Sequence, residues 1–555
     1  AAPVVPLVLS ARDTAALRAQ AERLAAHIGG GPSDVRATAR ALVTGRTSFG
    51  HRAVVLGTDR DELLAALGAL AAGDEAPGVI TGQGAFERPV FVFPGQGSQW
   101  AGMATELLKT SEVFARSIAD CDQALSPYVD WSLTEVLGHG GQLARVDVVQ
   151  PALFAVMVSL ASLWRSLGIE PAAVIGHSQG EIAAAVVAGA LTLEDGARIA
   201  ALRSRAILEI AGLGGMVSVP LPHDRATELI APWREQIAVA AHNSVNSTVV
   251  AGDAHALDEL LAHCARQEIR ARRIDVDYAS HTRHVEALED DLARALAGIA
   301  PRTGTVPFYS TVTGELMDTA GLDAGYWYTN LRRTVRLTDT LRAAAAAGHT
   351  AFIECSPHPV LTHAIDEVLE EASAFTVGSL RRDEGGWPRF LTSVAHAHAH
   401  GLPVDWLPLL GIGDRDPDLP TYPFQRRTYW VDAAPRTAAD VRTAGLDPAD
   451  HPLLGATLTL ADDEVVLTGR LSLQAQPWLA DHTVWGTALV PGTALLDLAV
   501  RAADEAGCAV LEELTLQAPL VLPEDGGLRL QITVGGADDS GRRPVAVHSR
   551  PERAT

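Results

Sequence analysis

The stretch Ala172-Ala173-Val174-Ile175-Gly176-His177-Ser178-Gln179-Gly180 decides how the rest of the chain is read. The apolar residues that lead in predict a short buried strand. The Ala-rich residues 181–188 that lead out predict a helix stopping at Gly189. Strand, tight turn and helix with serine at the apex form the nucleophile-elbow pattern. The glycines let the backbone bend sharply, and the helix N-terminus points free N–H groups at the turn. A plain strand-to-helix turn of small residues has the same pattern, so Ser178 needs partners elsewhere in the chain.

Working outward, the chain has 555 residues, too many for one ordinary domain. Its 47% hydrophobic content is ample for packed cores, and its formal net charge of −23 argues against nucleic-acid or anionic-membrane partners. Lys109 is the sole lysine, which excludes a phosphate-loop lysine and disfavours Schiff-base chemistry. Cys121, Cys264, Cys355 and Cys508 are isolated and fit neither a zinc site nor a disulfide framework, so a reducing, cytoplasmic compartment is expected. No apolar run reaches about 18 residues, and no membrane span is expected. The chain starts at Ala1 and stops at Thr555 after an unfinished strand pattern, as a piece of a longer protein would.

In chain order, residues 1–87 predict a small α/β unit with strands at 4–9 and 53–56 and helices at 15–28, 35–43 and 61–72. No catalytic constellation appears there, and a scaffold role is expected. A strand at 89–93 is followed by Pro94-Gly95-Gln96-Gly97-Ser98-Gln99-Trp100, whose glycines leave backbone N–H groups open to an oxyanion. Helices are predicted at 110–125, 132–136 and 150–167. Together with the elbow strand they indicate an α/β core with a parallel sheet. Arg203 falls on a predicted helix at 194–210, and a guanidinium can grip a carboxylate through two parallel hydrogen bonds. From 214 to 276 the order is β-α-β-β-α-β, the ferredoxin-like arrangement. It runs directly into Asp277-Tyr278-Ala279-Ser280-His281, so an inserted subdomain delivers a histidine that can serve Ser178 as general base.

The α/β pattern resumes with strands at 306–309 and 351–353. A helix at 391–400 carries His396, His398 and His400. Only the first and last share a face and no acid is adjacent, so no metal site is expected. Residues 402–436, rich in Pro, Asp and Arg, read as a linker wrapping the core. A strand-rich domain begins near 447, with strands at 456–460, 464–471, 510–522 and 528–534 and a helix at 492–505.

Six motifs carry a resemblance across most of the chain: Pro94-Gly95-Gln96-Gly97-Ser98-Gln99-Trp100; Gly176-His177-Ser178-Gln179-Gly180; Tyr278-Ala279-Ser280-His281; Trp327-Tyr328-Thr329-Asn330-Leu331-Arg332; Ser356-Pro357-His358-Pro359-Val360-Leu361; and Leu419-Pro420-Thr421-Tyr422-Pro423-Phe424-Gln425. Together they resemble the acyltransferase region of a modular type I polyketide synthase. The resemblance implies a hydrolase-like parallel-sheet acyltransferase domain at 88–385, with the ferredoxin-like subdomain at 214–276. A small α/β linker domain (1–87), which would follow a ketosynthase, precedes it. A second linker (386–446) follows, and then the first half of a dehydratase of hotdog (α+β) fold (447–555).

By the same resemblance Ser178 is the nucleophile and His281 its base. The backbone N–H groups of Gln96 and Gln179 form the oxyanion hole, Arg203 holds the free carboxylate of the extender unit, and the backbone carbonyl of Asn330 orients His281. No permanently bound cofactor or metal is implied. Coenzyme A would bring the acyl group and the phosphopantetheine arm of an acyl carrier protein would take it away. Tyr278-Ala279-Ser280-His281 is the methylmalonyl-type sequence, in which Ser280 leaves room for a methyl branch. Gln179 and Arg145-Val146-Asp147-Val148-Val149-Gln150 agree with that type. Two departures, Ala241-His242-Asn243-Ser244-Val245 and Leu337, are expected to alter pocket walls. In the last domain His482, Gly486 and Pro491 match the dehydratase motif HxxxGxxxxP. The partner aspartate of that family would lie beyond Thr555, so no dehydratase activity is expected, and unpaired strand edges and apolar faces are. The rival readings are a serine hydrolase or thioesterase using the same dyad, and a non-catalytic docking scaffold.

Overall fold

The computed structural model describes residues 4–31, 34–139, 143–414, 418–426 and 440–552. They fall into two compact units, Ala1–Gln425 and Arg426–Thr555.

The first unit is built on a six-stranded sheet in the order Glu315–Met317, Phe308–Ser310, Ala173–Gly176, Val90–Phe93, Ala351–Glu354, Phe375–Gly378. All neighbours run parallel except Glu315–Met317, which is antiparallel to Phe308–Ser310 at the edge. A strand covered on both faces needs a continuous apolar run, and Val90–Phe93 and Ala173–Gly176 are buried throughout. Their alternate residues feed two different cores. Phe91, Phe93 and Val174 pack on one face, and Val90, Val92, Ala173 and Ile175 on the other. Leu337 belongs to the second of these cores rather than to a pocket wall, which corrects the expectation for that position.

The helix expected at 150–167 is Val146–Arg165, with Pro151 inside it. The proline ring removes one intrahelical bond there without ending the helix. This helix has a mean hydropathy of 1.8 over its most apolar window, long and apolar enough by composition to cross a membrane, yet 89% of that window is buried inside the protein. It is the central helix of the core. Its Trp164, fully buried, donates from Nε1 to Ser379 Oγ at 2.8 Å and meets Phe390 edge-on at 5.0 Å.

The inserted subdomain has strands Gly214–Val219, Ile237–Ser244, Ser247–Asp253 and Arg272–Ile274, with helices His223–Ile230 and Ala254–Arg266. All its pairings are antiparallel, and the first strand lies between the third and the fourth, as in ferredoxin-like folds. At the N-terminal end, Val5–Ala11, His51–Gly57 and Val79–Gln83 form an antiparallel sheet. Asp13, Asp34 and Asp59 cap its three helices. The linker after the core, expected to wrap the core, bonds to this sheet domain through residues 419–422. Tyr422 accepts from the Arg12 N–H and packs against Phe49, and Arg46 donates to the carbonyls of Leu419 and Pro420. The remainder of the linker, 427–439, lies outside the described residues.

The second unit is a five-stranded antiparallel sheet, Asp447–Pro448, Ala456–Thr459, Val465–Leu471, Leu528–Val534 and Val545–Pro551, against the helix Gly492–Glu505. Leu528, Leu530, Ile532 and Val534 alternate inward and meet Leu495, Leu498 and Ala502 of the helix. The strand expected at 510–522 is not a ladder strand. Only Val521 bridges, to Leu489, and two backbone bonds join 520–522 to 488–490. Pro519 and Pro523 lack the N–H groups a ladder would use. Trp478, Trp485, Val510 and Leu516 are exposed. The edge strands Val79–Gln83, Glu315–Met317, Phe375–Gly378 and Val545–Pro551 are additions to the sequence-based expectation.

Trp164→Phe keeps an aromatic ring in the core but removes part of its volume and leaves Ser379 without its donor. It is expected to lower the stability of this chain by about 1–2 kcal/mol in urea unfolding, with little change in the slope.

Candidate active site

The elbow is enforced by close approach. A Cβ at Gly180 would lie 2.0 Å from the Phe93 carbonyl oxygen, and one at Gly176 2.2 Å from the Glu181 backbone. Neither position tolerates a methyl group, so the strand Ala173–Gly176 turns at once into the helix Gly180–Val187. Ser178 takes a φ of 53°, a left-handed conformation rare for a non-glycine residue. Its side chain is half-buried, reachable by a substrate.

Ser178 Oγ lies 2.9 Å from His281 Nε2. His281 also has a left-handed backbone, φ 65°. Its Nδ1 is 2.7 Å from the Arg333 carbonyl and its backbone N–H donates to the Leu331 carbonyl at 2.8 Å. A carbonyl only accepts, so Nδ1 carries the proton and Nε2 presents a lone pair to Ser178. The orienting carbonyl was expected at Asn330 and belongs instead to Arg333. The helix Ala324–Arg332 ends there, and Arg333 follows in extended conformation at its C-cap. Carbonyls beyond the last helical bond are free to serve other donors. Burial is the main force pushing the His281 imidazole down to about 3, with the Arg203 charge adding to it. The base is therefore neutral throughout the physiological range.

Gln96 lies in the loop after Val90–Phe93 and Gln179 at the N-cap of the elbow helix. Among the described residues neither backbone N–H reaches a protein acceptor, which leaves both open to an oxyanion. The Gln179 side chain is buried and its Nε2 has no partner. Tyr278 is buried and donates its hydroxyl to Gln96 Oε1 at 2.8 Å, while Gln150 Nε2 stands 3.4 Å from the same hydroxyl. Burial raises the Tyr278 phenol to about 12, so it stays protonated. Ser280 is buried in the same segment.

Arg203 is 1% exposed, and its protein partners are neutral amides. Nη1 donates to Gln150 Oε1 at 3.2 Å and Nη2 to Asn330 Oδ1 at 3.0 Å, while Nε has no partner. Burial lowers its pKa to about 10, so the cation persists at neutral pH. A buried charge with no directly bonded counter-ion is costly and is compensated by an arriving anion. The Asn330 amide nitrogen is 3.2 Å from the Ser178 carbonyl, so a single side chain connects Ser178 to the guanidinium.

The sequence reading missed Glu181, Thr311, Tyr326 and Arg333. Glu181 left a signal, an acid in the first turn of an otherwise apolar helix. Thr311 and Tyr326 left none, being brought to it by the fold. The three histidines of the helix Trp387–Ala399 and its C-cap have structural partners. His398 accepts from Trp406 Nε1, and His400 bonds the His396 carbonyl and stacks on Phe375.

In the second unit Trp485 and Gly486, both with positive φ, turn a two-strand hairpin of Thr483–Val484 and Thr487–Ala488. Pro491 precedes the helix Gly492–Glu505. His482 is exposed, its Nδ1 3.0 Å from the Leu489 carbonyl, and among the described residues no acid bonds it.

A parallel α/β sheet carrying a serine on an elbow, a neutral imidazole against it and a buried guanidinium beside it has the equipment of an acyltransferase. Comparison with known proteins makes this specific. A family described as an acyl transferase domain matches residues 90–404, a KS-MAT linker domain matches 8–74, and a polyketide synthase dehydratase domain matches 451–550. Polyketide synthase GfsE of Streptomyces halstedii is 53% identical over 99% of this chain, which covers 15% of that protein. Pikromycin polyketide synthase component PikAII of Streptomyces venezuelae is 50% identical over 99% of the chain, again covering 15% of that protein. The acyltransferase domain from module 8 of the salinomycin polyketide synthase is 55% identical, with a TM-score of 0.71, covering 73% of this chain and 97% of that one. The chain belongs to the acyltransferase family of modular polyketide synthases, carrying that domain's preceding linker and part of a dehydratase. It spans about 15% of the length of these curated relatives.

Because burial depresses the His281 pKa, the acid limb of kcat/KM for acylation is expected well below pH 6.5, the ordinary histidine value. The unfolded chain takes up that proton first. The His281 contribution to stability is therefore fully present above about pH 6.5 and lost as pH falls towards 3. A pH–rate profile with an acid limb at or above 6.5 would contradict a buried neutral base.

Proposed function

We propose that this chain loads a methylmalonyl extender unit from coenzyme A onto the phosphopantetheine arm of an acyl carrier protein, through an acyl-Ser178 intermediate. The observation that carries the reading is Arg203, a buried cation held by two neutral amides with an unpartnered Nε, one side chain away from Ser178.

His281 Nε2 takes the Ser178 proton as Oγ attacks the thioester carbonyl. The N–H groups of Gln96 and Gln179 receive the oxyanion, a donor set worth a few kcal/mol per bond in such sites. The tetrahedral intermediate collapses, the coenzyme A thiolate leaves, and the imidazolium returns its proton to it. The carrier's thiol then attacks the acyl-serine with His281 as base, and the proton ends on Ser178 Oγ. Arg203 holds the acyl group's free carboxylate and so fixes which face of the ester meets the thiol. Tyr278, tied to Gln96 and Gln150, forms one wall beside C2, and Ser280 leaves space for the methyl branch. A methyl-sized difference is worth only about 1–3 kcal/mol, so some malonyl loading is expected.

The domain limits that fit this reading are a linker domain at 1–87, the acyltransferase at 88–385 with its insert at 214–276, a second linker at 386–446 and the dehydratase part from 447. The carrier protein and a neighbouring ketosynthase are the partners. His482, Gly486 and Pro491 supply one half of a dehydratase site.

Intact-mass measurement after mixing with methylmalonyl-CoA is expected to show one adduct, absent in Ser178→Ala and transferable to a carrier protein. Release of coenzyme A with neither adduct nor carrier loading would make the chain a hydrolase instead. In competition with malonyl-CoA, methylmalonyl is expected to win about 5- to 150-fold. A malonyl preference would refute the role given to Tyr278 and Ser280.

A further inference from the structure

Glu181 is fully buried behind the elbow, in the first turn of the helix Gly180–Val187. Its Oε1 accepts from the Thr311 N–H and the Thr311 hydroxyl. Its Oε2 accepts from the Tyr326 hydroxyl at 2.6 Å and from Asn330 Nδ2 at 2.9 Å. The first of these elements is delivered by the strand Phe308–Ser310, the other two by the helix Ala324–Arg332. Three donors serve this carboxylate outright, and the Thr311 hydroxyl is a fourth contact whose single proton is shared with the Gly176 carbonyl, also at 2.8 Å.

The Asn330 amide is where this carboxylate acts on the site. An amide can present either its oxygen or its nitrogen to a neighbour. Here Nδ2 faces two groups that only accept, Glu181 Oε2 and the Ser178 carbonyl. Its Oδ1 is thereby turned to Arg203 Nη2. The reverse orientation would set an NH2 group against the guanidinium and an oxygen against the carboxylate. Carboxylate, amide and guanidinium thus form a directed relay with a single allowed sense.

The spacing matters as much as the direction. A carboxylate bonded directly to Arg203 would occupy the fork that a substrate carboxylate needs. Glu181 stands one amide away. From there its charge offsets part of the cost of burying the cation, and it favours the charged form of Arg203. Nε is left without a protein partner.

We propose that Glu181 is a positioning residue for recognition of the acyl group's free carboxylate: acting through Asn330, it aims Arg203 and so sets the preference for carboxylated over uncarboxylated acyl thioesters. This rests on the reading of Arg203 as the carboxylate clamp.

The test uses the full chain with methylmalonyl-CoA and propionyl-CoA, which share a carbon skeleton apart from the carboxylate. The readout is the ratio of kcat/KM for acylation of Ser178, split into kcat and KM. Glu181→Gln is expected to lower the ratio at least about tenfold, chiefly through KM for methylmalonyl-CoA, since a charge-assisted bond is being weakened. Should Glu181→Gln fail to fold, Asn330→Ala decides the matter. It cuts the relay at its other end, leaves Glu181 bonded to Thr311 and Tyr326, and is expected to lower the same ratio. A folded variant in which both substrates lose activity by one factor would overturn the proposal and leave Glu181 a merely structural group. Arg203→Ala separates the two levels. A ratio lost there but intact in Glu181→Gln overturns the relay alone, and a ratio intact in Arg203→Ala overturns the clamp beneath it.

Discussion

The site depends on one steric fact: there is no room for a methyl group at Gly180, whose Cβ would meet the Phe93 carbonyl oxygen at 2.0 Å. That contact holds the start of the elbow helix against the end of the strand Val90–Phe93, whose neighbour Ala173–Gly176 leads into the elbow itself. The loops leaving these two parallel strands are therefore locked together at the carboxyl edge of the sheet, where α/β folds place their ligands. One loop carries Gln96 and the other carries Ser178 and Gln179. A pair of N–H donors from separate loops can be preorganised for an oxyanion only if the loops cannot drift apart, and the glycine contact prevents that drift. The same loop is held further along, where Trp100 Nε1 donates to the Pro357 carbonyl at 3.0 Å.

Electrostatics in this centre follow from dryness. Arg203, His281 and Glu181 are all buried, and each responds according to its charge. The imidazole gives up its proton, the carboxylate is shifted upward by desolvation against hydrogen bonds that favour its charged form, and the guanidinium stays charged. The base needs no carboxylate partner because the free carbonyl of Arg333 already fixes its tautomer. An acid bonded to Nδ1 would raise the basicity of His281, and it would also bring a second buried charge whose desolvation must be compensated. A helix C-terminal carbonyl orients the ring without that penalty.

Much of this was legible in the sequence, for reasons that differ by residue. Ser178 could be found because an elbow needs glycines at fixed offsets, and His281 because a β-α-β-β-α-β insert ends on it. Both signals are local. The strands Val90–Phe93 and Ala173–Gly176 read correctly because burial on both faces demands unbroken apolar runs. The edge strands Val79–Gln83, Glu315–Met317 and Phe375–Gly378 were not anticipated, since edge pairing asks little of the side chains. The orienting carbonyl was placed at Asn330 by the family resemblance, since backbone atoms carry no sequence signature that would correct it. Where the helix ends decides which carbonyl is free, and that point lies at Arg332. Asn330 proved to act through its side chain instead. Thr311 and Tyr326 could not be found locally at all, because only the fold carries them to Glu181.

The inserted subdomain shows why the stretch Ala241-His242-Asn243-Ser244-Val245 matters even though it contributes no reacting atom. His242 N–H donates to the Val335 carbonyl and Val335 N–H to the Ala240 carbonyl, both at 2.9 Å, extending the subdomain sheet onto the core beside the Arg333 carbonyl. Asn243 Oδ1 reaches His177 Nε2 at 2.8 Å, immediately before Ser178. On the far side Asp253 bonds His284 at 2.6 Å, just after His281. The insert is thus fastened next to Ser178, next to His281 and next to the carbonyl that orients His281. An imidazole held 2.9 Å from its serine by two separate bodies keeps that distance only if the bodies share fixed contacts near both residues. These three attachments do so, which makes the insert part of the dyad's geometry as well as one wall of its surroundings.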